Sequence, residues 1–368
     1  MESADHCVRG GSIAASSHRR MSGRRAFSAV SGGLTGCLRE GYGEEGMGQR
    51  IRSTIVIPNY NGIDYIEKCL RSLEGEPARI IVVDNGSADG SREAVEQFPD
   101  VALICLDRNY GFCRAVNEGI AASDTEYVIL LNNDTEVERG FVRALERPLE
   151  GRPDVFSGSA QIRSMHTPDL IDDAGDFYCA LGWAYARGKD RPKAGYQHRD
   201  RIFAACGCAA IYRRKLFREI GVFDENHFAY LEDIDLGYRA GICGYHNIYI
   251  PEAVVYHAGS AVSGSRHNSF KVDLSARNSV YLAYKNMPPA QLLLNMPFLL
   301  AGFAVKAVFF ARMDLGAVYC RGLCKGIRLC ASEAGRAHRV HYNSGNLRSY
   351  IRIQLELWHN IWGCLRRR

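Results

Sequence analysis

Four positions between residues 53 and 260 carry side chains suited to chemistry on a phosphorylated ligand. Asp84 closes an apolar run. Its carboxylate can accept the imide N–H of a uracil or thymine, or ribose hydroxyls, although Asp84-Asn85-Gly86-Ser87 is also a good turn and cap sequence. Asn132-Asn133-Asp134 closes a second run. Mg²⁺ or Mn²⁺ bridging a nucleoside diphosphate wants oxygen ligands, and Asp134 can supply one, with Asn132 near the ribose or the metal. Glu232, Asp233 and Asp235 open a helical stretch. Acids there suit the helix dipole, and Asp233 is equally suited to take the proton of an attacking hydroxyl. His257 is a lone histidine, most often structural, that could complete a metal site with Asp134.

Elements that would position these groups are readable around them. Thr54-Ile55-Val56-Ile57-Pro58 has the pattern of a buried strand, and Ile63, Ile66, Leu70 and Leu73 then recur at helical spacing. Arg79 to Asp84 is a second strand, 101–106 a third and 127–131 a fourth. Helices are expected over 87–98, capped by Ser87 or Asp89, over 112–120 and over 139–149. Strands apolar on both faces and alternating with helices imply a mostly parallel central sheet covered by helices. Ligands of such sheets sit beyond the carboxyl ends of the strands. Pro58-Asn59-Tyr60-Asn61, Asp84-Asn85 and Asn132 to Asp134 all fall there, which favours a binding crevice. Residues 155–260 are irregular and aromatic, with a helix over 232–243 and a strand over 245–251.

Many short stretches in order are similar to the family 2 glycosyltransferases of the GT-A fold, in their rhamnosyltransferase-like branch. They are Ile55 to Gly62, Val82 to Ser91, Arg108 to Phe112, Asn117-Glu118-Gly119, Leu131 to Thr135, Gly221 to Glu225, Tyr230 to Leu236 and Val255-Tyr256-His257. The resemblance spans about residues 53–290. It implies an inverting, metal-dependent transfer of a sugar, rhamnose from dTDP-rhamnose first and a UDP-sugar second. The acceptor would be a hydroxyl of a cell-surface glycan or a polyprenyl-linked saccharide. Asp84 then matches the base reader, Asp134 the acid that binds Mg²⁺ or Mn²⁺, Asp233 the catalytic base and His257 a late metal ligand. Asn132 departs from the first acid of the family's Asp-x-Asp motif. Pro58, Asn59, Asn61, Asn109, Asn117 and Asn132 resemble residues lining the nucleotide. Arg277-Asn278 resembles a pair facing the diphosphate, and Glu232, Trp183 and residues 203–212 fall on the acceptor side. A nucleotidyltransferase and a non-catalytic nucleotide-sugar-binding protein are the alternatives. Asn59-Tyr60-Asn61-Gly62 lacks the Gly-rich, basic phosphate loop of the first.

Composition is that of a globular protein, with 46% hydrophobic and 24% charged residues. Residues 1–50, rich in Gly, Ser and Arg, read as a disordered extension, with Met47 an alternative start. Residues 51–270 read as the catalytic domain, 51–150 its nucleotide half and 151–270 its acceptor half. Residues 271–368 read as a helical, apolar and basic C-terminal region. From Lys271 onward there are 15 Lys and Arg against 4 Asp and Glu, a charge of +11, and before it 31 against 37, a charge of −6. Residues 288–311 are strongly apolar, interrupted by Asn295, Pro297 and Lys306. They are read as lying in a membrane interface beside Arg312, Arg321, Lys325 and Arg328, with Trp358 and Trp362 as anchors. Nucleic acid is not an expected partner. The 13 cysteines show no paired CxxC spacing and read as small buried thiols. No apolar signal segment is visible, so the expected place is the cytoplasm, peripheral on the inner face of the cell membrane.

Overall fold

The computed structural model describes residues 50–259 and 268–366; the extension before Arg50, including Met47, lies outside them. The nucleotide half is built from β1 (Ser53–Asn59), α1 (Ile66–Ser72), β2 (Ala78–Asp84), α2 (Ser91–Val95), β3 (Val101–Cys105), α3 (Phe112–Ala122), β4 (Tyr127–Leu131), β5 (Thr135–Val137) and α4 (Phe141–Glu146). The helix expected over 87–98 contracts to α2. Asp89 stands at its start, its Oδ1 accepting from Ser91 N at 3.1 Å and its Oδ2 from Ile63 N at 2.9 Å, while Ser87 N donates to Asp84 Oδ1 at 3.0 Å.

The next half holds β6 (Val155–Ser164), β7 (Ile171–Asp173), β8 (Asp176–Cys179), β9 (Trp183–Ala186), β10 (Asp200–Ile202), β11 (Ala209–Arg213), α5 (Phe217–Ile220), α6 (Glu232–Ile242) and β12 (His246–His257). One sheet has the order β10-β12-β6-β11-β4-β1-β2-β3, with β5 on β12 and β7 on β6, and β8 and β9 pair as a separate antiparallel hairpin. It is parallel from β3 to β4; beyond β4, β11 runs antiparallel to both its neighbours. The sheet is therefore mixed in its second half. Two buried clusters cover its faces, one around Ile55, Ile129 and Ile211, the other around Val56, Val116 and Leu130.

Two irregularities aim side chains. β7 pairs β6 as Ile162 with Asp173 and Arg163 with Ile171, so Asp172 is an extra residue at a bulge. Bulges re-aim side chains beside active sites. β12 continues past the expected 245–251 to His257 because a shift between Ile250 and Val254 absorbs Pro251, which has no N–H to give the ladder. That continuation lets His257 pair with Thr135, one residue after Asp134.

The C-terminal region is helical: α7 (Ser269–Asn286), α8 (Pro289–Ala311), α9 (Gly316–Ala331), α10 (Glu333–Ala337) and α11 (Leu347–Leu365). Asn295 on α8 and Gln354 on α11 exchange hydrogen bonds of 2.7 and 2.9 Å. The two helices pack around Leu299, Tyr350, Ile353 and Leu357, against Tyr178, Phe203 and Tyr238 of the catalytic half. α8 is long and apolar enough to cross a membrane by length and composition, and most of it is exposed.

Candidate active site

β1 and β4 lie side by side while the chain moves outward from them in opposite directions, the arrangement that opens a crevice at strand carboxyl ends. A cavity of about 1030 Å³ lies there. Pro58, Asn59, Asn109, Asn132, Asp134 and His257 line it together. Asn59 is held in place: its amide donates to Asp84 Oδ2 at 3.0 Å and Ser91 Oγ at 2.9 Å, and its Oδ1 accepts from Asn133 at 2.7 Å. Asn109 accepts from Asn85 and from Gly111 N.

Three expected nucleotide residues stand outside that lining. Asp84 is wholly buried behind Asn59 and holds Ser87 N and Arg92 with its other oxygen. Asn61 is exposed and shapes a turn, accepting from Ala88 N at 3.0 Å with φ 49°. Asn117 ties α3 to the loop before α6, bonding Phe223 N and O and the Glu225 carboxylate.

At the end of β4, Asp134 Oδ1 lies 3.3 Å from His257 Nε2. His257 Nδ1 meets Asp172 Oδ2 at 2.9 Å, and Asp172 also pairs with Lys189. Burial opposes charge on His257, but the Cys208 thiol and the two carboxylates outweigh it and raise its pKa. Burial likewise opposes charge on Asp172, yet His257 and Lys189 bring it down to about 2. The group demands a positive charge between Asp134 and Nε2. An imidazolium proton supplies one; a divalent cation would supply it with His257 neutral and held at Nδ1 by Asp172, the usual support of a metal-binding histidine. The donor set therefore fits Mg²⁺ or Mn²⁺.

A second carboxylate group begins one residue later. Asp173, Asp176 and Asp233 cluster beside Cys206, with Asp173 and Asp176 close enough to share a ligand. Burial raises the pKa of Asp173, to about 7, and raises Asp176 well above the ordinary carboxylate range with the help of its acidic neighbours. Asp233 is raised by burial too, and held back by the N–H groups of Ile234 and Gly207 and by Asp176. Glu232 is buried, its Oε2 without a partner among the described residues, and burial beside Asp233 pushes it up. Asp235 lies elsewhere: Arg239 at 2.8 Å, Lys285 at 2.8 Å and Asn286 at 2.8 Å hold it as a buried structural ion pair.

The loop entering α6 is strained. Phe228, Tyr230 and Leu231 all have positive φ, of 62°, 70° and 67°, a conformation costly for bulky side chains. Asn278 holds it by donating to the carbonyls of His227, Ala229 and Tyr230 at 2.7–2.9 Å. Arg277 donates to those of Asn226 and His227. The guanidinium expected at the diphosphate is thus spent on loop carbonyls, and burial lowers its pKa. Gly111 is required beneath this loop, since a Cβ there would come within 2.6 Å of Phe228. Trp183 is pinned by its Nε1 to Gly302 O of α8 at 3.0 Å.

Sequence reasoning missed Asp172, Asp173 and Asp176, although the run Asp172-Asp173-Ala174-Gly175-Asp176 is dense in acid. It also missed the clamping role of Asn278.

A mixed sheet with nucleotide-half amides and an Asp–His pair around one crevice, and a separate carboxylate cluster, has the GT-A fold. The profile of Glycosyl transferase family 2 matches residues 54–221. Those residues carry a family 2 glycosyltransferase domain, and the chain is similar to a rhamnosyltransferase. It is 29% identical over 262 residues to the N-acetylglucosaminyl-diphospho-decaprenol L-rhamnosyltransferase of Mycobacterium tuberculosis, covering 61% of this chain and 84% of the relative. It is 28% identical over 206 residues to the succinoglycan biosynthesis protein ExoA of Rhizobium meliloti, covering 52% and 59%. In fold it matches a structure of GalNAc-T7 with UDP, GalNAc and Mn²⁺, at a TM-score of 0.52 and 17% identity, over 64% of this chain and 48% of that one.

Proposed function

We propose that the chain transfers a sugar, with inversion, from a nucleoside diphosphate donor to a hydroxyl of a lipid-linked saccharide. The donor reading is dTDP-rhamnose first and a UDP-sugar second. The observation that carries it is the pairing of Asp134 with His257 in a cavity also lined by Asn59, Asn109 and Asn132. Asp134 and His257 would hold the divalent cation, which when bound neutralises the leaving diphosphate. Asn59, fixed by Asp84 behind it, and Asn109 bind and orient the nucleoside. The Asp233 carboxylate takes the proton of the acceptor hydroxyl. That oxygen forms a bond to the anomeric carbon from the face opposite the departing phosphate oxygen, and the nucleoside diphosphate leaves with the electron pair. The relative's printed name, with its diphospho-decaprenol acceptor, supports the lipid-linked class.

Calorimetric titration with dTDP and UDP, each with Mn²⁺ and with EDTA, tests the donor site. Binding is expected to need the metal and to fail in Asp134→Ala. Equal affinity in EDTA would remove the metal from the reading.

The same proposal puts the chain on the inner face of the cell membrane. Leu293, Leu300, Val305 and Val308 of α8 and Ile351, Leu355 and Trp362 of α11 are exposed, Leu293 by 74% and Trp362 by 65%. The region carries the chain's positive charge. An apolar helix face beside basic residues suits an anionic lipid surface. Recovery with phosphatidylglycerol vesicles, weaker with phosphatidylcholine alone, is the expected outcome; no recovery on either would sink this placement.

A further inference from the structure

α8 carries a single charged side chain, Lys306, in a helix otherwise made of apolar, small and amide residues. The side chain turns inward. Its amine lies 5.8 Å from the centroid of the Trp183 ring, and Lys306 lines the cavity that Asn132, Asp134 and His257 also line. The placement is fixed by close backbone packing. Trp183 Nε1 donates to Gly302 O, and a Cβ at Gly302 would come within 2.1 Å of Leu181 O. Gly302 and Lys306 are one helical turn apart, so they share this face.

Among the described residues no carboxylate pairs with Lys306. Burial pushes its amine down to about 8, and the groups beside it are the Cys179 and Cys364 thiols. An ammonium set in an apolar wall without a counter-charge is costly unless a ligand brings the anion. Next to it, Val272 of α7, Phe309 and Phe310 of α8 and Tyr319 of α9 line the cavity with apolar surface. An anion joined directly to a hydrocarbon chain matches both surfaces at once.

We propose that Lys306, over Trp183, binds the pyrophosphate of the lipid-linked acceptor, with Val272, Phe309, Phe310 and Tyr319 against its first isoprene units. This rests on the reading of a lipid-linked acceptor. The donor carries a pyrophosphate too. The neighbours of Lys306, however, are Trp183 and Cys179 of the β8–β9 hairpin and Cys364 of α11, which belong to the acceptor half and the C-terminal region. The amine thus holds the acceptor at its membrane end while its sugar reaches toward Asp233.

The test uses the full chain as wild type, Lys306→Met and Lys306→Arg, with farnesyl diphosphate, farnesol and dTDP as probes. Farnesyl diphosphate is titrated in EDTA, so that no cation bridges it to Asp134, and dTDP with Mn²⁺. Lys306→Met is expected to weaken farnesyl diphosphate about tenfold or more, the size of a lost hydrogen bond to a charged group. It should leave farnesol and dTDP unchanged, and Lys306→Arg should recover most of the loss. Unchanged affinity for farnesyl diphosphate overturns the proposal. So does an equal loss for farnesol, which would mean packing alone, or a loss confined to dTDP, which would make the donor the source of the anion. If no sugar reaches a lipid-diphosphate acceptor while binding of farnesyl diphosphate still depends on Lys306, the subsite stands and the wider functional reading falls.

Discussion

Asp172 and Asp173 are adjacent in the chain and belong to two carboxylate groups with opposite surroundings. Asp172 faces His257 and Lys189, and with Asp134 forms a group in which every acid has a cation within reach. Asp173 faces Asp176, Asp233 and Cys206, a group of acids with no paired base among the described residues. The bulge at Asp172 makes the division. Asp172 is held below the ordinary carboxylate range, while Asp173, Asp176 and Asp233 are driven above it by burial. Groups whose surroundings push their pKa values apart mark separate acid–base roles. One group is suited to hold a cation beside a diphosphate, the other to hold and release a proton.

Substitution on each side separates the two most strongly. Asp233→Asn is expected to lower transfer by about 10²–10⁴, the range for loss of a general base, with dTDP affinity in Mn²⁺ unchanged. Asp134→Ala is expected to lose metal-dependent dTDP binding itself. Calorimetry and a single-turnover transfer assay on both variants check this. Wild-type turnover in Asp233→Asn, or unaltered metal-dependent binding in Asp134→Ala, breaks the division of labour.

The two groups also differ in how far they can be read from sequence. Asp134 follows Tyr127–Leu131, five buried apolar residues in a row, so both the strand and its polar end stand out. His257 is placed by a register shift around Pro251, which no period in the sequence announces. Asp173 and Asp176 sit on strands of three and four residues, too short for any alternation to show, and β11 is buried throughout whichever direction it runs. Asp233 is legible as an acid at a helix start; its raised pKa is not, because burial in the folded protein causes it, and the Asp176 that opposes it arrives from 57 positions earlier in the chain. Arg277 is legible as a candidate; the carbonyls it bonds, about 50 residues earlier in the chain, are not.

A smaller effect is expected from the loop that joins the cavity to the proton-handling group. Ala229 and Tyr230 line the cavity, and Glu232 and Asp233 follow directly. Asn278→Ala removes the one amide nitrogen that three carbonyls share, in a backbone with positive φ. The loop is then free to relax, and Asp233 shifts relative to the bound donor. Misplacement by about 1 Å costs up to about 100-fold, so kcat is expected to fall by about 10- to 100-fold with a lesser change in dTDP affinity. A parallel fall in folded fraction and in affinity would make Asn278 merely structural.

The finest test concerns how Asp233 is tuned. Its carboxylate accepts from the Asp176 carboxyl, which favours the charged form and so lowers its pKa against the larger raising effect of burial. A protonated Asp176 beside an ionised Asp233 is the arrangement under test. Transfer should therefore rise with pH along a limb that lies above the ordinary aspartate value of about 4. Asp176→Ala removes the donor, so the charged form of Asp233 loses support and the limb moves to higher pH. Asp176→Asn keeps an N–H in the donor's place and should move the limb less. The readout is the pH dependence of kcat/KM at saturating Mn²⁺ for the three proteins. A limb that stays put in Asp176→Ala, or moves to lower pH as relief of like-charge repulsion would have it, means that Asp176 is ionised when Asp233 acts. The second group would then share its charge rather than its proton.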